Sequence, residues 1–405
     1  MQTHNFHHQT RLDRTVAFLG SSLPVAIVLG VVPFEFFISL TGLVWLVTRL
    51  KVPDGFRGID GHIVLWPIVG WFAAVMASRL MNGSAAYYYV HDLAFLRYPL
   101  FFIAMVDLSS RLPMHRYLIG GLLAGIGYAV INLVSAHLIG YDFVGNSLER
   151  YITKRYEGAR IGAMCAYAGP FLLLWATFDR RLEKLKRLYI IGFGCAAIYL
   201  IISCQIRTAL LAALFGLVCG FFVLLIVRKR IGIGSVLALL ILAGVGVWGV
   251  WSRQPGLENV YDRVYFWKVS LEIWQQNPIF GVGISSFGDA YRQVFESGVV
   301  PAFHSPTGNI YHRLSHHAHN LFLQLMACNG ILGLGVFGWI FWNASRIIWS
   351  SVGSWRAGLW SWPFICLIIG LAGWNIYDPF YTTIIFYFLS LISVSVNADT
   401  QSRTA

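Results

Sequence analysis

Long apolar runs separated by short polar stretches cover most of the chain. A helix crossing a bilayer needs ~20 mostly apolar residues, with a range of about 17–25. By that measure the pattern predicts spans near 15–31, 33–50, 61–80, 90–107, 117–139, 161–178, 188–204, 208–227, 231–251, 320–344, 358–376 and 380–397. Three pairs are nearly continuous and need a break. Pro33 divides the first pair because it lacks the N–H of the helical hydrogen bond. The others divide at Ser203–Thr208 and at Asp378–Pro379. Backbone groups in lipid must be satisfied internally, so each run should be helical. The expected fold is an all-α polytopic membrane protein of about twelve transmembrane helices.

Two segments on one side are more than connectors. Residues 140–160 (GYDFVGNSLERYITKRYEGAR) make a mid-sized loop, and 252–319 make a loop too long to be a link alone. Long loops in compact folds are usually functional or disordered. This one carries Trp267, Trp274, Phe280, Phe287, Tyr291 and Phe295, so it should fold. Val260, Val264, Trp267, Leu271 and Trp274 recur at spacings of four and three, a helical stripe suited to the membrane–water boundary. Asn277–Pro278 ends that helix, and Gly281 and Gly283 permit a tight turn. The chain thus divides into helices one to nine (1–251), a large loop (252–319) and helices ten to twelve with the C-terminal segment (320–405).

Charge then orients the bundle. Lys and Arg accumulate on the cytoplasmic side of membrane proteins. With the N-terminus inside, every dense basic cluster, including Arg180–Arg187 and Arg228–Arg230, falls on that side. Both termini are predicted cytoplasmic, and the first apolar run reads as an uncleaved helix because no small-residue cleavage motif follows it. Only 12% of residues are charged, against roughly 25% in soluble proteins. The formal net charge of +12 is scattered in short clusters between apolar runs, which argues against a nucleic-acid partner. The six cysteines lie in or at the ends of apolar runs without a CxxC pair, so they read as packing residues.

Candidate chemistry collects on the outward side. Arg207 sits in SCQIRTALLA at the tip of an apolar hairpin, Arg160 closes the 140–160 loop, and Arg263 lies one turn before Trp267. Guanidinium groups present planar donors that suit phosphate oxygens and stay charged at any relevant pH. Three that converge would clamp a diphosphate. The bland alternative is that they snorkel or pair with local acids such as Glu157 or Asp262. Five histidines, His304, His312, His316, His317 and His319, crowd the end of the long loop. An imidazole near neutrality can take a proton from an attacking hydroxyl. His304 and His312 read more simply as solvated loop residues, and a metal site on His312 and His316 has no neighbouring carboxylate in sequence. No phosphate-binding GxxxxGKS loop, no GxSxG elbow and no outward DxD pair is found. Apart from Glu35 and Asp92, which fall near helix ends, the predicted helices also lack the central carboxylates that proton-coupled transporters usually need.

The run RVYFWKVSLEIWQQNPIFGVGISSF (263–287), followed by HAHNLFLQLMACNGILGLG (317–335), resembles the core of the O-antigen ligase and polymerase superfamily. Its elements here are Arg263 and Trp267, Asn277 to Gly283, and His319, Asn320 and Gln324, with RYEGARIGA and SCQIRTALLA supplying Arg160 and Arg207. The resemblance implies a polytopic, GT-C-like glycosyltransferase of the bacterial inner membrane with its active site facing the periplasm. Its donor would be a glycan on undecaprenyl diphosphate, and its acceptor a sugar hydroxyl of lipid A–core oligosaccharide. Inverting transfer would need neither metal nor cofactor. His319 would be the general base, Arg160, Arg207 and Arg263 would bind the diphosphate, and Trp267, Asn320, Gln324 and His317 would support the site. Which of the clustered histidines moves the proton stays open at this point. So do an O-antigen polymerase using the same donor, a protein O-oligosaccharyltransferase and a transporter or flippase.

Overall fold

The computed structural model describes residues 2–51, 63–82, 86–141, 155–227, 258–304, 310–311, 313–350, 354–373 and 377–404. Its helices are α1 (Gln2–Ser21), α2 (Leu23–Leu29), α3 (Val31–Leu50), α4 (Leu65–Asn82), α5 (Ala86–Leu93), α6 (Arg97–Leu108) and α7 (Met114–Ile139). They continue as α8 (Arg155–Phe178), α9 (Lys184–Ser203), α10 (Arg207–Val227), α11 (Glu258–Gln276) and α12 (Phe287–Ser297). The last are α13 (Leu321–Trp349), α14 (Trp362–Ala372) and α15 (Pro379–Thr404). A two-residue antiparallel pairing, β1 (Phe303–His304) with β2 (Ile310–Tyr311), is the sheet among the described residues. Eight described helices are long and apolar enough to cross a membrane, nine if the bent α1–α2 pair counts as one span. The chain is an all-α polytopic membrane protein.

Helices lie at each predicted span except 231–251, which is outside the described residues together with His312 and most of the 140–160 loop. The details of several breaks differ from expectation. Pro33 does not interrupt the first pair: it sits in the first turn of α3, where its missing N–H would be unsatisfied anyway. The chain instead bends by 43° at Ser22, and Gly30, at φ 143°, separates α2 from α3. The first helix also starts at Gln2, well before the apolar run. The eleventh span is a 3-10 segment, Ser354–Ser361, followed by the short α14.

Close approach and buried charge hold the first half together. Gly121 and Gly125, four apart on α7, lie under the α1–α2 bend, where a Cβ on Gly125 would sit 2.6 Å from Pro24. Small residues at this spacing let membrane helices pack backbone to backbone. At the end predicted to be cytoplasmic, Arg49 donates to Asp13 (2.8 Å) and Asp107 (2.6 Å), and Arg111 donates to the same two carboxylates. Arg49 and Arg111 therefore serve as ion-pair partners across α1, α3 and α6. α8 and α15 are among the most enclosed spans, and around them the bundle closes.

The long loop packs back onto the bundle. Tyr265, Phe266, Val269 and Ile273 of α11 are buried, which leaves Val264, Trp267, Leu271 and Trp274 on its more open side. The stripe that stood out in the sequence is thus the outward one. Beyond α11, the segment Asn277–Gly283 docks against a kink in α13. There Gly330 takes φ 63° and ψ −161°, a conformation that breaks the helix. Val282 and Gly283 donate to the carbonyls of Ala327 (2.9 Å) and Cys328 (2.7 Å), while Ile331 and Leu332 donate to Pro278 (2.9 Å) and Ile279 (3.4 Å). The loop supplies the partners that the kinked helix loses, the condition for irregular backbone inside a membrane protein.

Candidate active site

His319 sits at φ 52°, left-handed backbone that few residues other than glycine adopt, although histidine visits it more than most. The neighbours of His319 in sequence hold that twist. Asn320 caps α13, its Oδ1 accepting from the backbone N–H of Phe322 (3.0 Å) and Leu323 (3.1 Å). Gln324 reaches back to accept from Ala318 N–H (2.6 Å), and its amide donates to Cys328 Sγ (3.1 Å). Both Asn320 and Gln324 are buried, and they fix the backbone on either side of the imidazole.

The imidazole of His319 stacks on Phe266 at 5.4 Å between centroids and lies 4.0 Å from the His317 ring. It also hydrogen-bonds to the backbone of Gly373, at the end of α14. Arg263 arrives at the same glycine: a Cβ there would sit 3.3 Å from its Nη2. Arg263 and Phe266 are three apart on α11, so one helix face presents both to the histidine. Burial lowers the His319 pKa to about 3, with His317 and Arg263 adding repulsion and the Gly373 hydrogen bond opposing them. His317 is lowered too, by burial and then by His316. The Arg263 pKa is lowered by burial from a value so high that the group keeps its charge.

The remaining arginines stand at the rim. Arg160, near the start of α8, faces Gly30, where a Cβ would lie 3.7 Å from its Nη1. It is also an electrostatic neighbour of Asp378, whose carboxyl burial pushes upward while Arg160 pulls it down. Asp378 immediately precedes α15, so Arg160 lies at the end of the bundle where α14 gives way to α15. Arg207 is exposed and begins α10 after a turn in which Gln205 takes φ 55°. The preceding Ile206 packs at Gly162, two residues beyond Arg160. The four groups thus occupy one end of the bundle, with Arg263 and His319 meeting at Gly373.

Other expectations resolve differently. Asp262 is bonded to Arg313 (3.0 Å), so it is not the partner of Arg263. Trp267 is half-buried on the open side of α11, and its buried Nε1 has no hydrogen-bond partner among the described residues. His316 is exposed beside Gly288, and the side chain of His304 lies outside the described residues. Phe266 and Gly373 did not stand out in the sequence, and Asp378 did so only as a helix boundary. The i, i+3 relation of Phe266 to Arg263 was the available signal for the first. Below the site an apolar cleft of about 230 Å³ runs between α13 and α14, from Phe322 past Leu334 and Phe337 to Phe341.

No curated protein matches the chain. Residues 191–338 match the family model described as O-antigen ligase. That stretch contains Arg207, Arg263, Trp267, His317, His319, Asn320 and Gln324, whereas Arg160 and the Gly373–Asp378 corner lie outside it. Over this segment the chain is similar to the O-antigen ligase family.

Proposed function

We propose that this chain is an O-antigen ligase of the bacterial inner membrane, with its site facing the periplasm and both termini in the cytoplasm. It transfers a glycan from undecaprenyl diphosphate to a sugar hydroxyl of lipid A–core oligosaccharide. The observation that carries the reading is the meeting of the Arg263 guanidinium and the His319 imidazole at Gly373, two groups from α11 and from the turn before α13 at one half-buried corner. His319 takes the proton of the acceptor hydroxyl. The freed oxygen attacks the anomeric carbon, the bond to diphosphate breaks on the opposite face, and the configuration inverts. Arg263, Arg160 and Arg207 neutralise the departing diphosphate, stabilisation that counts most in a partly desolvated site. The apolar cleft beginning at Phe322 offers the polyprenyl chain a path beside α13.

A base with a pKa of about 3 is weak, since efficient general bases titrate near the working pH. The donor removes this difficulty. A diphosphate held by Arg263 cancels one of the charges that depress His319 and adds anionic charge that favours imidazolium. Donor binding therefore raises the basicity of His319 only when there is a bond to break.

Purified protein incubated with undecaprenyl-diphosphate glycan and lipid A–core in a metal chelator should modify the core. Elongated polyprenyl glycan would identify a polymerase with the same donor, and no product would overturn the glycosyltransferase reading. His319→Ala should abolish transfer while the protein stays folded and inserted. Near-normal turnover in that variant would remove His319 from the mechanism.

A further inference from the structure

Away from the diphosphate corner, at the end of α4, lies a charged pair with no part in the mechanism above. Arg79 and Asp92 are both fully buried, with Arg79 Nε donating to Asp92 Oδ2 at 2.7 Å. Burying an ion pair adds little net stability, since desolvation offsets the attraction, so its position calls for another reason. Each half of the pair grips the segment after α11. Arg79 Nη1 donates to Ser286 Oγ (3.0 Å), Ser285 Oγ donates to Asp92 Oδ1, and Ser285 also bonds His91 Nδ1 (2.9 Å). Gly283 lets the guanidinium lie against the backbone, where a Cβ would sit 2.7 Å from Nη2. Two further residues of α4 reinforce the grip: Asn82 donates to Gly281 O (2.7 Å) and Ser78 to Cys328 O (2.8 Å).

We propose that Arg79 and Asp92 are positioning residues, a clasp that pins the 277–286 segment to the α13 kink and so holds Arg263 in register with His319. The inference rests on the ligase reading. α11 runs without interruption from Arg263 to the clasped segment, with Gly281 N–H donating to Asn277 O at 2.9 Å. The helix from Arg263 to Gln276 makes a lever of roughly 21 Å. A swing of about 10° at the clasp moves Arg263 by roughly 3–4 Å, several times the ~0.5 Å tolerance of a working site. Misplacement of about 1 Å can cost 10²-fold in rate.

The test is steady-state ligation by the full-length protein in detergent, per mole of folded enzyme, with donor varied and pH scanned. Asp92→Asn should lower kcat/KM for the donor by about 100-fold. Because that variant strands the Arg79 charge and can fail to fold, the Ser285→Ala/Ser286→Ala double variant is the second arm. It leaves the ion pair intact and frees the segment, with an expected loss of about tenfold in kcat/KM, less than the ~100-fold expected of Asp92→Asn. In either variant the acid limb of kcat/KM should move to higher pH. Arg263 and Phe266 withdraw from His319, while His317 and the Gly373 bond remain, so the imidazole recovers basicity. An unchanged pH profile and kcat/KM in the folded double variant would overturn the clasp. An active His319→Ala protein would overturn the underlying reading instead, whatever the serines do.

Discussion

Replacing Gly330 by alanine tests the junction on which the site is built. The residue sits at φ 63° and ψ −161°, where an L side chain is strained by about 1–3 kcal/mol. Its new Cβ would fall on the Ile279 carbonyl, so the Asn277–Gly283 segment must also retreat. The bonds from Ile331 to Pro278 and from Leu332 to Ile279 are nearest and go first. Each buried backbone group left unpaired costs roughly 1–3 kcal/mol, and more where no water can enter. A destabilisation of roughly 5 kcal/mol follows, a large share of a total that is typically about 5–15 kcal/mol.

The control is on the same helix. A Cβ on Gly335 would meet nothing within 4 Å, so Gly335→Ala adds only helix propensity, a gain of up to about 1 kcal/mol. Thermal unfolding in detergent, followed by tryptophan fluorescence, compares the two directly. Gly330→Ala should unfold several degrees below the parent and lose ligation even at temperatures where it remains folded. Gly335→Ala should match or exceed the parent. Equal unfolding temperatures for the two variants would refute the loop-in-kink account.

Acid dependence follows from the His319 pKa of about 3 in the free enzyme. The imidazole stays neutral as pH falls through 6.5, so kcat/KM, which reports the free enzyme, should show no limb near 6.5 from this group, whereas the limb in kcat, which reports the complex, should lie at higher pH. A kcat/KM profile falling at about pH 6.5 would contradict the half-buried, cation-flanked histidine. The same shift makes His319 a destabilising group in acid: the unfolded chain takes up the proton below about 6.5, so its contribution to stability declines as pH falls from there toward 3. Arg207→Ala should weaken donor use more than acceptor use when each substrate is varied in turn, because Arg207 stands at the rim beside Arg160; the opposite pattern would assign it to acceptor phosphates.

Much of the architecture was legible because it depends on local pattern. Apolar run length located the helices, and the motifs around Arg263 and His319 pointed to one end of the bundle. Asn320 and Gln324 belong to the His319 motif, and their work as an N-cap and a backbone acceptor is local as well. What escaped was created by contact between segments distant in sequence. Gly373 matters because α14 happens to end where Arg263 and His319 meet, and no feature of the residues 371–375 announces it. Arg79 and Asp92 look like ordinary charges at helix ends until Ser285 and Ser286, about two hundred residues on, close over them. Pro33 misled for the complementary reason: a proline marks where a helix cannot continue from before it, yet it serves equally well to begin one, and only the conformation of Gly30 decides between these. The phase of α11 carries the same lesson. Both of its faces are rich in aromatic residues, so periodicity alone could not choose between them. The choice is made by the loop at its C-terminal end, whose pairing with the α13 kink turns Arg263 and Phe266 inward together and leaves Trp267 on the open side.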